Sequence, residues 1–187
     1  MSILIRGGTL ITPDQRYQAD ILVEGETISR IEPSINEQSC AGAEVIDATG
    51  KYVFPGFIDP HVHIYLPFMG TFAKDTYDSG SRAALVGGTT TLIEMCCPAR
   101  EDDPWEAYQL WKQKAEGLPA CDYSFHMGVT RFDDSTAAKL CRIVDDGITS
   151  FKVFLAYMGA FGVTDSELYQ TCRLAAELGV VVTAHCE

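Results

Sequence analysis

The chain has 187 residues and a formal net charge of −12, and hydrophobic residues make up 47% of it. This composition is typical of a globular protein and excludes a disordered or fibrous chain. The acidic balance argues against nucleic acids and anionic membranes as partners, because both bind basic surfaces. No apolar run approaches the roughly 20 residues of a membrane span, and the start shows no signal-peptide pattern. We therefore expect a cytoplasmic protein.

Residues 1–56 contain short β-branched runs separated by glycine turns, such as Ile3-Leu4-Ile5 and Ile21-Leu22-Val23. Runs of this kind, punctuated by Gly-Gly and Glu-Gly, are typical of short strands joined by tight turns. The pattern predicts a small meandering β module, with a polar loop over residues 33–42.

From Phe57 onward, apolar strand patterns alternate with helical ones. The strand starts are spaced by roughly 27–34 residues, which is the length of a β-strand followed by a crossover helix. This spacing predicts a parallel sheet. The predicted strands are Phe57–His63, Thr89–Cys96, Tyr123–Val129, Ser150–Leu155 and Val180–His185.

Helix start and stop signals lie between these strands. Asp103 with Glu106, and Thr164 with Glu167, have the spacing of capping boxes. A third helix is predicted to begin at Ser135, and a weaker one lies between residues 74 and 86. The glycines that follow the helical patterns predict their ends: Gly87, Gly117, Gly147 and Gly179.

The seven cysteines include no Cys-X-X-Cys pair, so neither a zinc knuckle nor a disulfide framework is indicated. Several of them, such as Cys141 and Cys172, fall on the apolar stripes of predicted helices. We expect most of the cysteines to be small core residues.

Three of the four histidines fall at the carboxyl ends of predicted strands. His61 and His63 are two residues apart, so in a strand they share a face and could chelate one divalent metal ion. An isolated pair of this kind also arises by chance. His185 ends the last strand, and active sites of parallel barrels lie at this end of their strands. His126 is mid-strand, where a hydrogen-bonded core histidine is expected.

Lys152 lies in the otherwise apolar strand Ser150–Leu155. Burial favours the uncharged amine of a lysine, and an uncharged amine can add carbon dioxide to form a carbamate. Such a carbamate offers two anionic oxygens that could bridge two metal ions. The alternative is a lysine whose stem is buried while its ammonium reaches solvent.

Taken together, these motifs resemble the dihydropyrimidinase and D-hydantoinase branch of the cyclic amidohydrolase superfamily. The resemblance rests on Val53–His63, Pro67–Thr71, Gly87–Thr90 and Ser150–Tyr157. It implies an α/β fold: a (β/α)8 TIM-type barrel, of which about the first five strands are present, preceded by a small β-sandwich module. Residues 1–56 would be the β module and residues 57–187 the N-terminal part of the barrel.

The resemblance also implies a site with two divalent metal ions, most simply Zn²⁺. His61 and His63 would hold the first metal, His185 the second, and Lys152 would bridge them as a carbamate formed with CO2. Tyr157, expected on the loop after the Lys152 strand, would stabilise the developing oxyanion. The implied substrate-contacting residues are Ile64, Tyr65, Leu66, Phe68, Met69 and Tyr157.

The implied activity is hydrolysis of the C–N bond in a cyclic amide such as a 5,6-dihydropyrimidine or a hydantoin, by a homotetrameric enzyme. An allantoinase- or dihydroorotase-like activity is the alternative, as is a non-catalytic interaction protein related to dihydropyrimidinase. Dihydroorotases place an arginine two residues after the second metal histidine, where this chain has Tyr65. Met158 also departs from the family pattern, in which a basic or polar residue often follows the tyrosine.

The family pattern requires a second histidine on the other metal and a late catalytic aspartate. Neither follows His185 within this sequence, which ends at Glu187. We therefore expect the N-terminal part of a longer enzyme that is inactive by itself.

Overall fold

The structure, a computed structural model, describes residues 1–68 and 70–187, with only the backbone described at Phe68. The chain forms two compact units, Met1–Gly56 and Phe57–Glu187. Within the described ranges, no helix is both long enough and apolar enough to cross a membrane.

The first unit is a mixed five-stranded sheet centred on its first strand. Its strands are β1 (Ser2–Ile11), β2 (Arg16–Glu24), β3 (Thr27–Glu32), β4 (Glu44–Asp47) and β5 (Tyr52–Val53). The first three strands form the predicted antiparallel meander, but β4 and β5 both pair parallel to β1. The predicted loop over residues 33–42 contains a short 3-10 helix, Glu37–Cys40.

Asp20 lies buried in β2 and ties two neighbouring segments to it. Its carboxylate accepts hydrogen bonds from the backbone N–H groups of Gly7, at 2.8 Å, and Ile35, at 2.9 Å. Gly7 has a positive φ of 68° at the irregularity in the β1–β2 pairing, a conformation that glycine adopts without steric cost. The buried charge is thus hydrogen-bonded from two sides.

The second unit alternates strands and helices. Its strands are β6 (Phe57–Val62), β7 (Pro67–Phe68), β8 (Thr71–Phe72), β9 (Thr89–Cys96), β10 (Asp122–Gly128), β11 (Ser150–Met158) and β12 (Val181–His185). Its helices are α1 (Tyr77–Val86), α2 (Pro104–Ala115), α3 (Asp134–Asp145) and α4 (Asp165–Leu178). The main sheet has the order β12-β11-β10-β9-β6, and all its pairings are parallel. This is the strand order of successive (β/α) units in a TIM-type barrel, so the predicted fold class is confirmed.

The helix caps largely follow the sequence signals. The Thr164–Glu167 capping box is present, and Gly179 ends α4 in the left-handed conformation with a φ of 70°. Asp103 caps α2 through its carboxylate, which accepts from the N–H groups of Trp105 and Glu106. The cap of α3 is Asp133, so that helix begins one residue before the predicted Ser135.

The main apolar core fills the space between the helices and the parallel sheet. Leu140 and Ile143 of α3 are fully buried there, as are Phe151 and Val153 of β11. The alternate residues of β11, including Lys152 and Phe154, point to the opposite face, where Phe154 packs with Met95 and Cys97. In the β11–β12 register, Ser150 pairs with Val181 and Phe154 with His185.

The cysteines only partly follow the prediction, although all seven are free thiols. Cys96 and Cys97 are buried, while Cys121 and Cys141 are half-buried against the main core. Cys172 is exposed on α4, so the core assignment made for it is wrong. Cys40 is half-buried, and Cys186 is exposed.

Candidate active site at the strand ends

His61 lies near the end of β6 and His63 directly follows this strand, and the two side chains are neighbours. The ring centroids of His61 and His63 are 5.2 Å apart, with their planes at 77°. The strand conformation brings them together, because residues two apart share a face. Partial desolvation of the His63 ring lowers its pKa, and the nearby His61 and Lys152 side chains lower it further. A neutral imidazole, with a free lone pair on one nitrogen, is the form that binds metals.

Lys152 is 3% exposed, on the side of β11 that faces away from the helices. Its Nζ lies 5.4 Å from the centroid of the Phe154 ring. Within the described part of the chain, this ammonium donates no hydrogen bond and forms no ion pair. Burying a charge without hydrogen bonds or an opposite charge is unfavourable, so Lys152 differs from the other buried polar side chains of this unit, such as Glu94 and His126.

A cavity of about 160 Å³ opens at the carboxyl ends of these strands. His63 and His185 both line it, and so do Tyr157 and Phe154. Its remaining lining residues are Leu66, Cys97 and Phe161. Strands far apart in sequence thus bring two of the predicted metal ligands and the predicted oxyanion donor to one cavity.

Tyr157 lies within β11 and not on the loop after it, contrary to the prediction. It has a positive φ of 59°, the only non-glycine residue with this conformation among those the structure describes. Its ring centroid is 5.5 Å from that of His185. The left-handed backbone turns the end of the strand, and the ring lies against the imidazole.

Of the predicted substrate-contacting residues, the structure brings Leu66 and Tyr157 to the cavity. Ile64 is buried in the main core, and the Tyr65 ring lies 5.0 Å from that of Trp111. Neither of these two lines the cavity. The Phe68 side chain and the whole of Met69 lie outside the described residues.

Glu94 is a buried residue of this region that the sequence analysis missed. Its Oε1 accepts from the N–H groups of Ile64, at 2.8 Å, and Tyr65, at 2.5 Å, and its Oε2 accepts from the Tyr77 hydroxyl. Burial raises the pKa of Glu94, and these three hydrogen bonds oppose that shift. The signal was available, since Glu94 is a lone charge in an apolar strand, as Lys152 is.

His126 is the hydrogen-bonded core histidine that was expected. Its Nε2 donates to the Pro60 carbonyl at 2.8 Å, which leaves Nδ1 to accept from the Ser150 hydroxyl at 2.5 Å. Burial lowers its pKa, although the bond to Pro60 acts in the opposite direction. This contact fixes the backbone immediately before His61.

Cys97 lines the cavity as a protonated thiol. Burial raises the pKa of this thiol to about 12, outweighing the lowering effect of Lys152. Because the thiolate is the form that binds metals, Cys97 contributes an apolar wall at neutral pH.

The donor set at the strand ends fits divalent metal ions. His61 and His63 offer two nitrogen donors, and His185 lies on the same cavity as His63. Lys152 is a buried amine that forms no hydrogen bond or ion pair in the described chain. Without counting lysine, no group of three or more His, Cys, Asp or Glu side chains in the described ranges could hold a metal.

The five-stranded parallel (β/α) sheet is part of a TIM-type barrel, and the cavity lies at the carboxyl ends of its strands, where proteins of this class bind their substrates. The chain belongs to the amidohydrolase family, whose sequence profile matches residues 52–187.

Within this family, the chain is similar to D-hydantoinases and dihydropyrimidinases. The D-hydantoinase of Geobacillus stearothermophilus is 44% identical over 188 residues, covering 100% of this chain and 39% of the relative. The dihydropyrimidinase of Dictyostelium discoideum is 40% identical, covering 100% of this chain and 37% of the relative. The solved D-hydantoinase (dihydropyrimidinase) from Thermus sp. is 67% identical with a TM-score of 0.94, covering 99% of this chain and 40% of that one. The predicted resemblance is confirmed, and the chain spans about two fifths of the length of these relatives.

Proposed function

We propose that this chain supplies metal-binding and substrate-binding groups to a hydrolase that opens cyclic amides, such as 5,6-dihydropyrimidines or hydantoins. The observation that carries the proposal is the cavity at the strand ends, which His63, Tyr157 and His185 line together. The relatives named D-hydantoinase and dihydropyrimidinase support the choice of substrate class.

Two divalent metal ions, most simply Zn²⁺, would be held by the residues that the resemblance implies. His61 and His63 would bind one, His185 the other, and Lys152 would join both after its amine adds CO2. Bound at this site, such ions lower the pKa of water and polarise a carbonyl group. The carbamate gives the buried Lys152 side chain the anionic character that the metals require.

Tyr157 and the apolar walls of the cavity would act on the substrate directly. The Tyr157 hydroxyl would donate a hydrogen bond to the carbonyl oxygen as negative charge develops on it. Leu66, Phe154 and Phe161 would exclude bulk water and contact the ring. With these apolar walls around it, a hydrogen bond from Tyr157 would be stronger than in bulk water.

The walls of the cavity favour an uncharged ring over an acidic one. Among its described lining residues there is no arginine or lysine to pair with a substrate carboxylate. Tyr65, at the position where dihydroorotases carry an arginine, packs against Trp111. This supports a dihydropyrimidine or hydantoin over dihydroorotate.

Metal content tests the proposed ligands on the chain itself. We expect the chain, loaded with Zn²⁺ in bicarbonate buffer, to retain two metal ions by elemental analysis, and Lys152→Met to lose at least one. Lys139→Met is the matched control, because Lys139 pairs with Asp103 at the surface. Two metals retained by Lys152→Met would rule out the bridging role.

Turnover tests the substrate class. In a chimera, this chain would replace the matching segment of the Geobacillus stearothermophilus D-hydantoinase. We expect hydrolysis of dihydrouracil or 5-substituted hydantoins, and little or none of dihydroorotate or allantoin. A folded, metal-loaded chimera that hydrolyses none of the four would favour the non-catalytic interaction protein.

A further inference from the structure

Arg100 joins three segments that follow neighbouring strands of the sheet. It lies in the connection after β9, and its Nη1 donates to the Thr130 carbonyl at 2.5 Å and to the Gly162 carbonyl at 2.7 Å. Its Nη2 donates to Glu167 Oε1 at 2.7 Å. The rigid fork of a guanidinium can serve several acceptors at once, whereas the single ammonium of a lysine cannot match this geometry.

Glu167 holds this guanidinium in place. The Arg100 and Glu167 side chains are only 26% and 14% exposed, so water screens the pair weakly. Burial opposes the ionisation of Glu167, but hydrogen bonds from Arg100 and Thr164 outweigh it and lower its pKa. Glu167 also belongs to the capping box of α4, so the clamp is fixed to the start of a helix.

The Gly162 carbonyl lies on a loop that folds back on the end of β11. Val163 donates its N–H to the Phe154 carbonyl at 3.0 Å, and Ala160 and Phe161 donate to the Tyr157 carbonyl at 3.0 and 3.1 Å. A Cβ on Gly162 would lie 2.6 Å from the Ala156 carbonyl oxygen, so the two backbones touch. Tyr157, with its positive φ, lies one residue before the end of β11, where this loop begins.

We propose that Arg100 is a positioning residue that, together with Glu167, holds Tyr157 in its left-handed conformation beside His185. A non-glycine residue keeps such a conformation only where its surroundings hold it. Here the loop after Tyr157 is tied to β11 by backbone hydrogen bonds and to Arg100 through Gly162. The part of this inference that concerns turnover rests on the proposed function, in which Tyr157 is the oxyanion donor.

Hydrogen exchange on the 187-residue chain tests the clamp without requiring activity. We expect Arg100→Lys to speed exchange at Ala160, Phe161 and Val163 by about tenfold, because the loop loses a charge-assisted tie. Exchange in β9 and β10 should stay unchanged, which reports that the fold is intact. Unaltered exchange at these three amides would overturn the proposal.

Two further variants distinguish loss of the Arg100 contacts from general unfolding of the chain. Glu167→Gln keeps the size of the side chain and removes the charge that holds Arg100, so the same amides should exchange faster by a smaller factor. Arg82→Lys is the matched control, because Arg82 forms an exposed ion pair with Asp78 on α1. It should alter none of the three amides, and a general effect of Arg→Lys changes would contradict the assignment.

A spectroscopic signal reports Tyr157 itself. In a chain labelled with 3-fluorotyrosine, the fluorine resonance of Tyr157 is identified by its loss in Tyr157→Phe. We expect Arg100→Lys to shift or broaden this resonance, and Arg82→Lys to leave it in place. An unmoved resonance would mean that the clamp does not position this side chain.

Kinetics in the chimera separate positioning from general support. If Arg100 acts through Tyr157, Arg100→Lys should lower kcat by about tenfold in the otherwise unchanged chimera and by less than about twofold in the Tyr157→Phe background. Equal losses in both backgrounds would overturn the positioning role. A chimera without activity would refute the proposed function, while the exchange and fluorine results would still decide the inference.

Discussion

Each of the two units buries a charged side chain, but only one of these two side chains forms hydrogen bonds in the described chain. In the first unit, Asp20 accepts hydrogen bonds from the N–H groups of Gly7 and Ile35. In the second, Lys152 is buried to a similar degree but has no hydrogen bond or ion pair within the described chain. A buried charge is tolerated where hydrogen bonds replace water. Asp20 is therefore a structural charge, whereas the described chain supplies no such compensation for Lys152.

Glu94 shows that a hydrogen-bonded buried charge also occurs in the second unit. It is buried in the same unit as Lys152, yet it accepts hydrogen bonds from Ile64, Tyr65 and Tyr77. Buried charges whose hydrogen-bond donors come from the same unit thus occur in both units. Substitutions at these three positions should separate the two kinds of charge.

The largest effect is expected at Glu94. Glu94→Ala leaves two backbone N–H groups and the Tyr77 hydroxyl without their acceptor, and should lower the free energy of unfolding by about 3 kcal/mol. Glu94→Gln retains one acceptor oxygen and should cost about 1 kcal/mol. Both tryptophans, Trp105 and Trp111, lie in this unit, so urea unfolding followed by tryptophan fluorescence reports it. Equal stability of the two variants would show that the hydrogen bonds do not matter.

A smaller loss is expected at Asp20. Asp20→Ala removes the acceptor of two N–H groups and should lower the free energy of unfolding by about 2 kcal/mol. The change should appear in circular dichroism of the chain and leave the tryptophan signal of the second unit at its original urea midpoint. Asp14→Ala, at an exposed turn position, is the control and should have no measurable effect. If Asp20→Ala were as stable as the wild type, the hydrogen bonds of Asp20 would not distinguish it from Lys152.

The smallest effect, and one of opposite sign, is expected at Lys152. In metal-free buffer depleted of CO2, Lys152→Met should raise the free energy of unfolding by about 1 kcal/mol, because an apolar side chain replaces an unpaired charge. Tryptophan fluorescence in urea measures it, with Lys139→Met as the control. A clear destabilisation would show that Lys152 is a structural charge like the other two.

Much of the second unit could be predicted because its signals are local. The alternation of strands and helices, the Thr164–Glu167 capping box and the parallel order follow from patterns within single segments. The side-by-side placement of His61 and His63 follows from the period of a strand.

Other features depend on contacts between distant segments, which one segment cannot reveal. The parallel pairing of β4 and β5 with β1 requires chain returns that no turn motif specifies. The left-handed Tyr157 is held by the loop that ends at Gly162 and Val163, whereas propensity alone would have placed a glycine there. Cys172 follows the apolar spacing of α4 but lies on its exposed side, since Leu174 and Ala175 carry the packing.

The pairing of Ser150 with Val181 and of Phe154 with His185 means that the number of residues in β12 sets the position of His185 along the sheet. The five residues of this strand carry the chain from the turn at Gly179 to the imidazole. Because side chains alternate, deleting one residue would turn His185 toward the helices and shorten the reach by about 3.3 Å. Deleting two would restore the direction but leave the ring about 6.6 Å short. The position of His185 thus depends on the length of β12. Substitutions within this strand should therefore be tolerated better than insertions or deletions.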